Sequence, residues 1–114
     1  MVTTVAMRMN SDYQIIIARI EQHFTRKIQT TYCLQIVNDK YDQTYNFFIN
    51  IQPRGKRQHS IPLHTVENYQ LEYLEKLVDQ ITKNYHLTII CDGFTKMKWP
   101  IKQELIQRRR HKDE

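Results

Sequence analysis

Three sets of side chains in this sequence have the types and spacing to do chemistry, and cations form the largest. Arg54, Lys56 and Arg57 surround Gly55 just after Pro53, Lys96 and Lys98 follow a later turn, and Arg108, Arg109 and Arg110 stand together near the C-terminal end. Clustered Lys and Arg bind phosphate backbones by releasing condensed counterions, so grouping counts for more than total charge. The formal charge of +5 is correspondingly uneven: residues 54–64 carry +3, residues 65–95 carry −3 and residues 96–114 carry +4. A tight turn holds its cations close to the fold, whereas the run from Arg108 to Lys112 also has the composition of a solvated tail.

The second set is Phe48 between Asn46, Asn50 and Gln52. In a strand these four residues share one face. An aromatic on an open sheet face stacks on a nucleobase while amides read the base edge, at about 1–3 kcal/mol per stacked base. Covered by a helix or a partner, the same face would instead bury Phe48, and its amides would need hydrogen-bond partners.

The third set is histidine. His59 and His64 follow Arg57 and His86 opens a later strand, the raw material of a metal-independent ribonuclease that uses imidazoles as general acid and base. Five-residue spacing places His59 and His64 on opposite faces of a strand unless Pro62 bends the chain, and no catalytic residue is assigned. There is no Cys-x-x-Cys or His-x-x-x-His spacing for a metal, and with only Gly55 and Gly93 there is no glycine-rich phosphate loop. No cofactor is expected.

Elements must position these groups. Ser11 with Gln14 forms a capping box, and Tyr13, Ile16, Ile17, Ile20, Phe24 and Ile28 recur at helical spacing, predicting a helix over 12–29 behind a flexible arm, 1–11. Alternation predicts strands over 31–37 and 44–52, the second with Tyr45, Phe47, Ile49 and Ile51 facing the core. A short strand over 58–63 follows the basic turn, and Pro62 assigns it to a sheet edge. Thr65 is the expected N-cap of a second helix over 66–85, with Tyr69, Leu71, Leu74, Leu77, Val78, Ile81 and Tyr85 as its apolar stripe. Its outer face pairs Glu72 with Lys76 and Asp79 with Lys83. Strand 86–91, an Asp92-Gly93 turn and a returning arm 94–99 read as a hairpin, and Pro100 suits the start of a basic C-terminal helix over 101–111 before a tail, 112–114.

The expected fold is therefore α+β in the order α-β-β-β-α-β-β-α: a small antiparallel or mixed sheet of about five strands with helices mainly on one face, all in one domain, 12–111. Residues 12–85 are similar in element order to the double-stranded-RNA-binding domain and to the Alu-RNA-binding proteins of the signal recognition particle. The Gly-rich, Lys-Lys helix start of the former is replaced here by His64-Thr65-Val66-Glu67, so its phosphate grip is missing. The same order with one more strand resembles the core of restriction-type nucleases. Asn50 and Gln52 stand where that family would need metal-binding acids, which argues against a working metal nuclease.

Cys33 and Cys91 sit in strand patterns, no N-x-[ST] sequon occurs, and the longest strictly apolar run is Ile15–Ala18. Buried free thiols in a reducing, cytoplasmic setting and no membrane span are the expectation. The leading functional expectation is a small basic nucleic-acid-associated protein, non-enzymatic, that contacts RNA or DNA phosphates through the 54–57 loop and the C-terminal basic segment. The rival is a protein-interaction module, such as a small regulatory or inhibitor protein of a phage or mobile element, docking through helix 66–85 or strand 44–52. A histidine ribonuclease is third.

Overall fold

Alternation of apolar and polar residues through 30–53 produces the centre of the structure, a two-stranded antiparallel ladder. The computed structural model describes residues 3–23 and 29–110, with side chains described from Ser11 onward. Its elements are α1 (Thr3–His23), β1 (Thr30–Asp39), β2 (Thr44–Pro53), β3 (His59–Val66), α2 (Leu71–Asn84), β4 (Thr88–Asp92) and the two-residue β5 (Arg109–Arg110). The strands form one mixed sheet in the order β3-β2-β1-β4-β5. β1 and β2 pair antiparallel in unbroken register from Thr30↔Pro53 to Asp39↔Thr44, and Asp39 Oδ1 accepts the amides of Tyr41 and Asp42, both at 3.1 Å, to close their turn. β4 runs parallel to β1, with α2 as the crossover that a parallel pair requires. Among the described residues no helix is long and apolar enough to cross a membrane.

Both helices lie on one face of the sheet. Ile16 and Ile20 of α1 and Leu74, Leu77 and Ile81 of α2 pack with Leu34, Ile36, Tyr45, Phe47, Ile49, Leu63 and Ile89 in a single buried cluster. Stacked rings extend it, with Tyr45 at 4.9 Å from Tyr69 and 5.9 Å from Phe94. α1 is tied down by polar contacts as well: Arg19 donates to the Leu63 carbonyl, Asn84 to the Tyr13 hydroxyl at 2.6 Å, and Tyr85 to Glu21.

Several boundaries differ from the expectations. α1 begins at Thr3, so Ser11 lies inside it rather than capping it, because 3–10 contains no Gly or Pro and includes the strong helix formers Ala6, Met7, Arg8 and Met9. Phe24, Ile28 and the 112–114 tail lie outside the described residues. β3 runs on to Val66, so Thr65 is a strand residue whose hydroxyl donates to Asn46 Oδ1 at 2.6 Å, and α2 starts later with Gln70 at its N-cap. Pro62 does occupy an edge strand.

The C-terminal part departs most. The arm 94–99 does not pair with β4, since Phe94 turns into the core, and among the described residues there is no helix over 101–110. The chain makes a small irregular hairpin, with Trp99 donating to Glu104 and Ile106 to Met97 at 2.8 and 2.9 Å, then runs extended so that β5 pairs with β4. Glu75 decides this. Its carboxylate is 2% exposed and accepts the amides of Ile101 and Lys102 at 2.7 and 2.9 Å, holding that turn against α2. Leu105 outward and Ile106 inward is strand-like alternation that two residues alone did not reveal.

Candidate nucleic-acid interface

Residues paired across a sheet point the same way, so the register defines the face that neither helix covers. One row crosses all five strands: Pro62, Phe48, Gln35, Ile90 and Arg109. The rows beside it are Ser60, Asn50, Cys33 and Thr88 on one side and Thr65, Asn46, Val37 and Asp92 on the other. Phe48 is half-buried on this open face, while its neighbour Phe47 is fully buried beneath the helices.

A chain of hydrogen bonds fixes the polarity of the open face. Gln35 Nε2 donates to Asp92 Oδ2 at 2.6 Å, and Arg108 Nε donates to Asp92 Oδ1 at 3.0 Å. A carboxylate only accepts, so Gln35 must turn its Oε1 toward Asn50, whose Nδ2 donates to it at 3.1 Å. That leaves the Asn50 Oδ1, on a residue 3% exposed, as a buried acceptor with no partner among the described residues. Gln52 is spent differently: its Nε2 donates to the carbonyls of Pro53 and Lys56 at 3.2 and 2.5 Å and braces the basic turn.

The predicted cations occupy separate places. Arg54, Lys56 and Arg57 are exposed on the β2–β3 turn, where Gly55 at φ 73° supplies the left-handed residue and Arg54 N donates to Gln29 O at 2.8 Å. Lys96 and Lys98 follow β4 at the opposite end of the sheet. Arg108–Arg110 reach the β5 edge, at least roughly 15 Å from that turn at ~4.8 Å per strand. Within this run, Arg108 pairs with Asp92, Arg109 shares the open face with Phe48, and Arg110 points to the helix side opposite Ile89. The structure thus joins Phe48, Asn50 and Arg109 on one face but does not gather all the cations into a single patch.

The histidines do not form an acid–base pair. Leu63 is the extra residue of a β-bulge between the Phe47↔His64 and Phe48↔Pro62 pairs, which returns His59 and His64 to the same side of the sheet, with Phe47 and Ile51. They are still about 13 Å apart along the strand, and His86 lies beyond two intervening strands. His64 instead bonds through Nε2 to Asp12 Oδ1 at 2.7 Å, while the Tyr73 hydroxyl donates to Asp12 Oδ2 at 2.5 Å. This unforeseen trio lines a surface groove between α1 and the start of α2 and ties α1 to β3. Among the described residues no cluster of three or more His, Cys, Asp or Glu side chains could hold a metal ion.

Cys33 and Cys91 are free and buried on opposite faces of the sheet. Burial, and to a lesser extent the Asp92 charge, pushes the Cys91 thiol up to about 12, with Arg110 opposing them.

Comparison with known proteins adds no relative: no family model, no curated protein and no solved structure matches this chain.

Proposed function

We propose that the protein binds single-stranded nucleic acid, without catalysis, on the helix-free face of its sheet. One observation carries the reading: Phe48 and Arg109 stand in the same cross-strand row of a face whose amides are oriented from a fixed carboxylate. With one base stacked on Phe48, Arg109 lies about 14 Å away across three strands and Arg54 about 20 Å away along β2, so phosphates of more distant nucleotides would reach them. None of Arg54, Lys56, Arg57 and Arg109 has a carboxylate partner among the described residues, so none of those carboxylates must be displaced when these cations replace counterions. Single strands suit this face better than duplexes because an aromatic needs an unstacked base. Two buried free thiols on opposite faces accord with a reducing, cytoplasmic setting.

The protein-interaction reading draws on the same surfaces with less support. β2 is paired on both edges, so only its open-face side chains are left for a partner, and the 100–102 turn already occupies part of α2 through Glu75.

Fluorescence anisotropy with a labelled oligothymidylate, and with a duplex of equal length, tests the proposal. Binding should favour the single strand and weaken steeply between about 50 and 200 mM salt. Phe48→Ala should weaken it roughly 5- to 150-fold, the value of one stacked base. A flat salt response, or equal binding by Phe48→Ala, overturns the reading and leaves a protein partner as the occupant of this face.

A further inference from the structure

On the other side of the sheet lies a second site that owes nothing to the open face. The C-terminal segment, held by Glu75, does not close fully on α2 and β4, and a cleft of about 400 Å³ remains between them. Its walls include Val78 of α2, Ile89 and Cys91 of β4, Trp99 and Ile106 of the C-terminal segment, and Arg110 of β5. This volume is within the range of small-molecule sites, about 300–1,000 Å³. Val78, Ile89, Cys91 and Ile106 are buried, Trp99 offers a half-buried ring, and Lys102, Glu104 and Arg110 bring charge to the lining.

Of these three, Arg110 is half-buried and has no carboxylate partner among the described residues. The other cations nearby are provided for: Arg108 bonds Asp92 at 3.0 Å and Lys102 bonds Asp79 at 2.8 Å. The cleft's own acid, Glu104, is exposed and pairs with neither. Cys91 is held neutral by burial and supplies no anion, and Asp92 faces the opposite side of the sheet. A guanidinium partly removed from water without a carboxylate partner among the described residues carries a cost, and its planar fork matches a carboxylate in bidentate fashion.

We propose that this cleft binds a small organic carboxylate with an apolar body, the carboxylate on Arg110 and the body between Val78, Ile89, Trp99 and Ile106. One guanidinium without a carboxylate partner among the described residues, beside Glu104 and the Asp79-paired Lys102, favours one negative charge over the several of a nucleotide phosphate. Cys91 forms part of the floor and takes no covalent part.

Trp99 is the only tryptophan in the chain, so its emission reports this site directly. Titration of the whole protein with octanoate at neutral pH should give a saturable change, and 1-octanol and octylamine should bind at least about tenfold more weakly, reflecting hydrogen bonds to a charged group. Arg110→Met keeps the β5 backbone pairing and should weaken octanoate by a similar factor while leaving octanol unchanged. Arg110→Lys should fall between. Equilibrium dialysis with labelled octanoate provides a second reading independent of the indole. No saturable uptake in dialysis, octanol binding as tightly as octanoate, or an Arg110→Met protein of unchanged melting temperature and unchanged octanoate affinity overturns the proposal.

Discussion

Phe47 and Phe48 are adjacent in the chain and belong to two differently built surfaces. Phe47 lies under both helices in a cluster of aliphatic and aromatic side chains, where packing density is the organising force. Phe48 lies among Gln35, Asn50, Asn46 and Ile90, where hydrogen bonds order Gln35 and Asn50 from Asp92 and Asn46 accepts from Thr65. The first surface is held mainly by non-directional, close-fitting contacts. The second has a polarity set along Asp92, Gln35 and Asn50, and it leaves the Asn50 Oδ1 without a partner among the described residues. One strand thus serves the core on one side and carries the proposed binding face on the other.

The largest test of that contrast is the pair of alanine substitutions at these positions. Phe47→Ala opens a cavity in a fully enclosed core and should cost about 3–5 kcal/mol, a large share of a small domain's stability. Phe48→Ala should cost no more than about 1 kcal/mol, because the site is half-open and no enclosed cavity remains. Urea denaturation read by circular dichroism measures both, and equal losses would mean that the open face is a second core.

Glu75 is a polar group on the packed side, and the next effect in size belongs to it. Truncation to alanine strands the Ile101 and Lys102 amides against α2, for about 3 kcal/mol, whereas Glu75→Gln keeps one acceptor oxygen and should lose roughly half as much. The same measurement ranks the two. Should both variants match the native midpoint, the C-terminal segment is held by its apolar contacts alone.

Glu75 also marks where the sequence was legible and where it was not. The strands 30–39 and 44–53 and the second helix announce themselves through periods of two and 3.6, and the burial of Tyr45, Phe47 and Ile49 follows the alternation. Apolar positions 71, 74, 78 and 81 place residue 75 on the inward arc, so a buried Glu was readable there as a demand for partners. Its partners, Ile101 and Lys102, were not readable, and without them Pro100 looked like a helix start. The open-face chain links Gln35 to Asp92 across 57 residues, and Asp12 meets His64 across 52, distances over which local spacing carries no information. Phe48 and the basic turn enter the proposed site on local signals: an aromatic among amides, and cations around a glycine.

A smaller effect should follow from breaking the open-face chain at its source. Asp92→Asn allows the Gln35 and Asn50 amides to reverse and weakens the bond to Arg108, for about 1–2 kcal/mol in stability. Binding to oligothymidylate should fall as well, although residue 92 bears a charge that repels phosphate. If affinity rises by the few-fold expected from removing that charge alone, the orientation of the amides plays no part in recognition.

The last contrast appears only in alkali, and it belongs to the packed side. Burial raises Cys91 from an ordinary 9.0 to about 12, and burial with the neighbouring Tyr69 raises Tyr45 from 10.0 to about 12. Between those limits the unfolded chain releases protons that the native chain keeps, so the native state binds more protons and stability must fall as pH rises. The contribution is whole below about pH 9 and is lost progressively toward pH 12, at no more than about 1.4 kcal/mol per pH unit for the thiol. Tyr85 is raised to about 12 by its hydrogen bond to Glu21, but it stands near the surface, where solvent screens the effect. Urea midpoints at intervals from pH 8 upward should therefore decline more gently in Cys91→Ala over the first part of the range and in Tyr45→Phe over the second. A decline of the same slope in both variants would place the alkaline loss outside the helix-covered core and remove this distinction between the two faces.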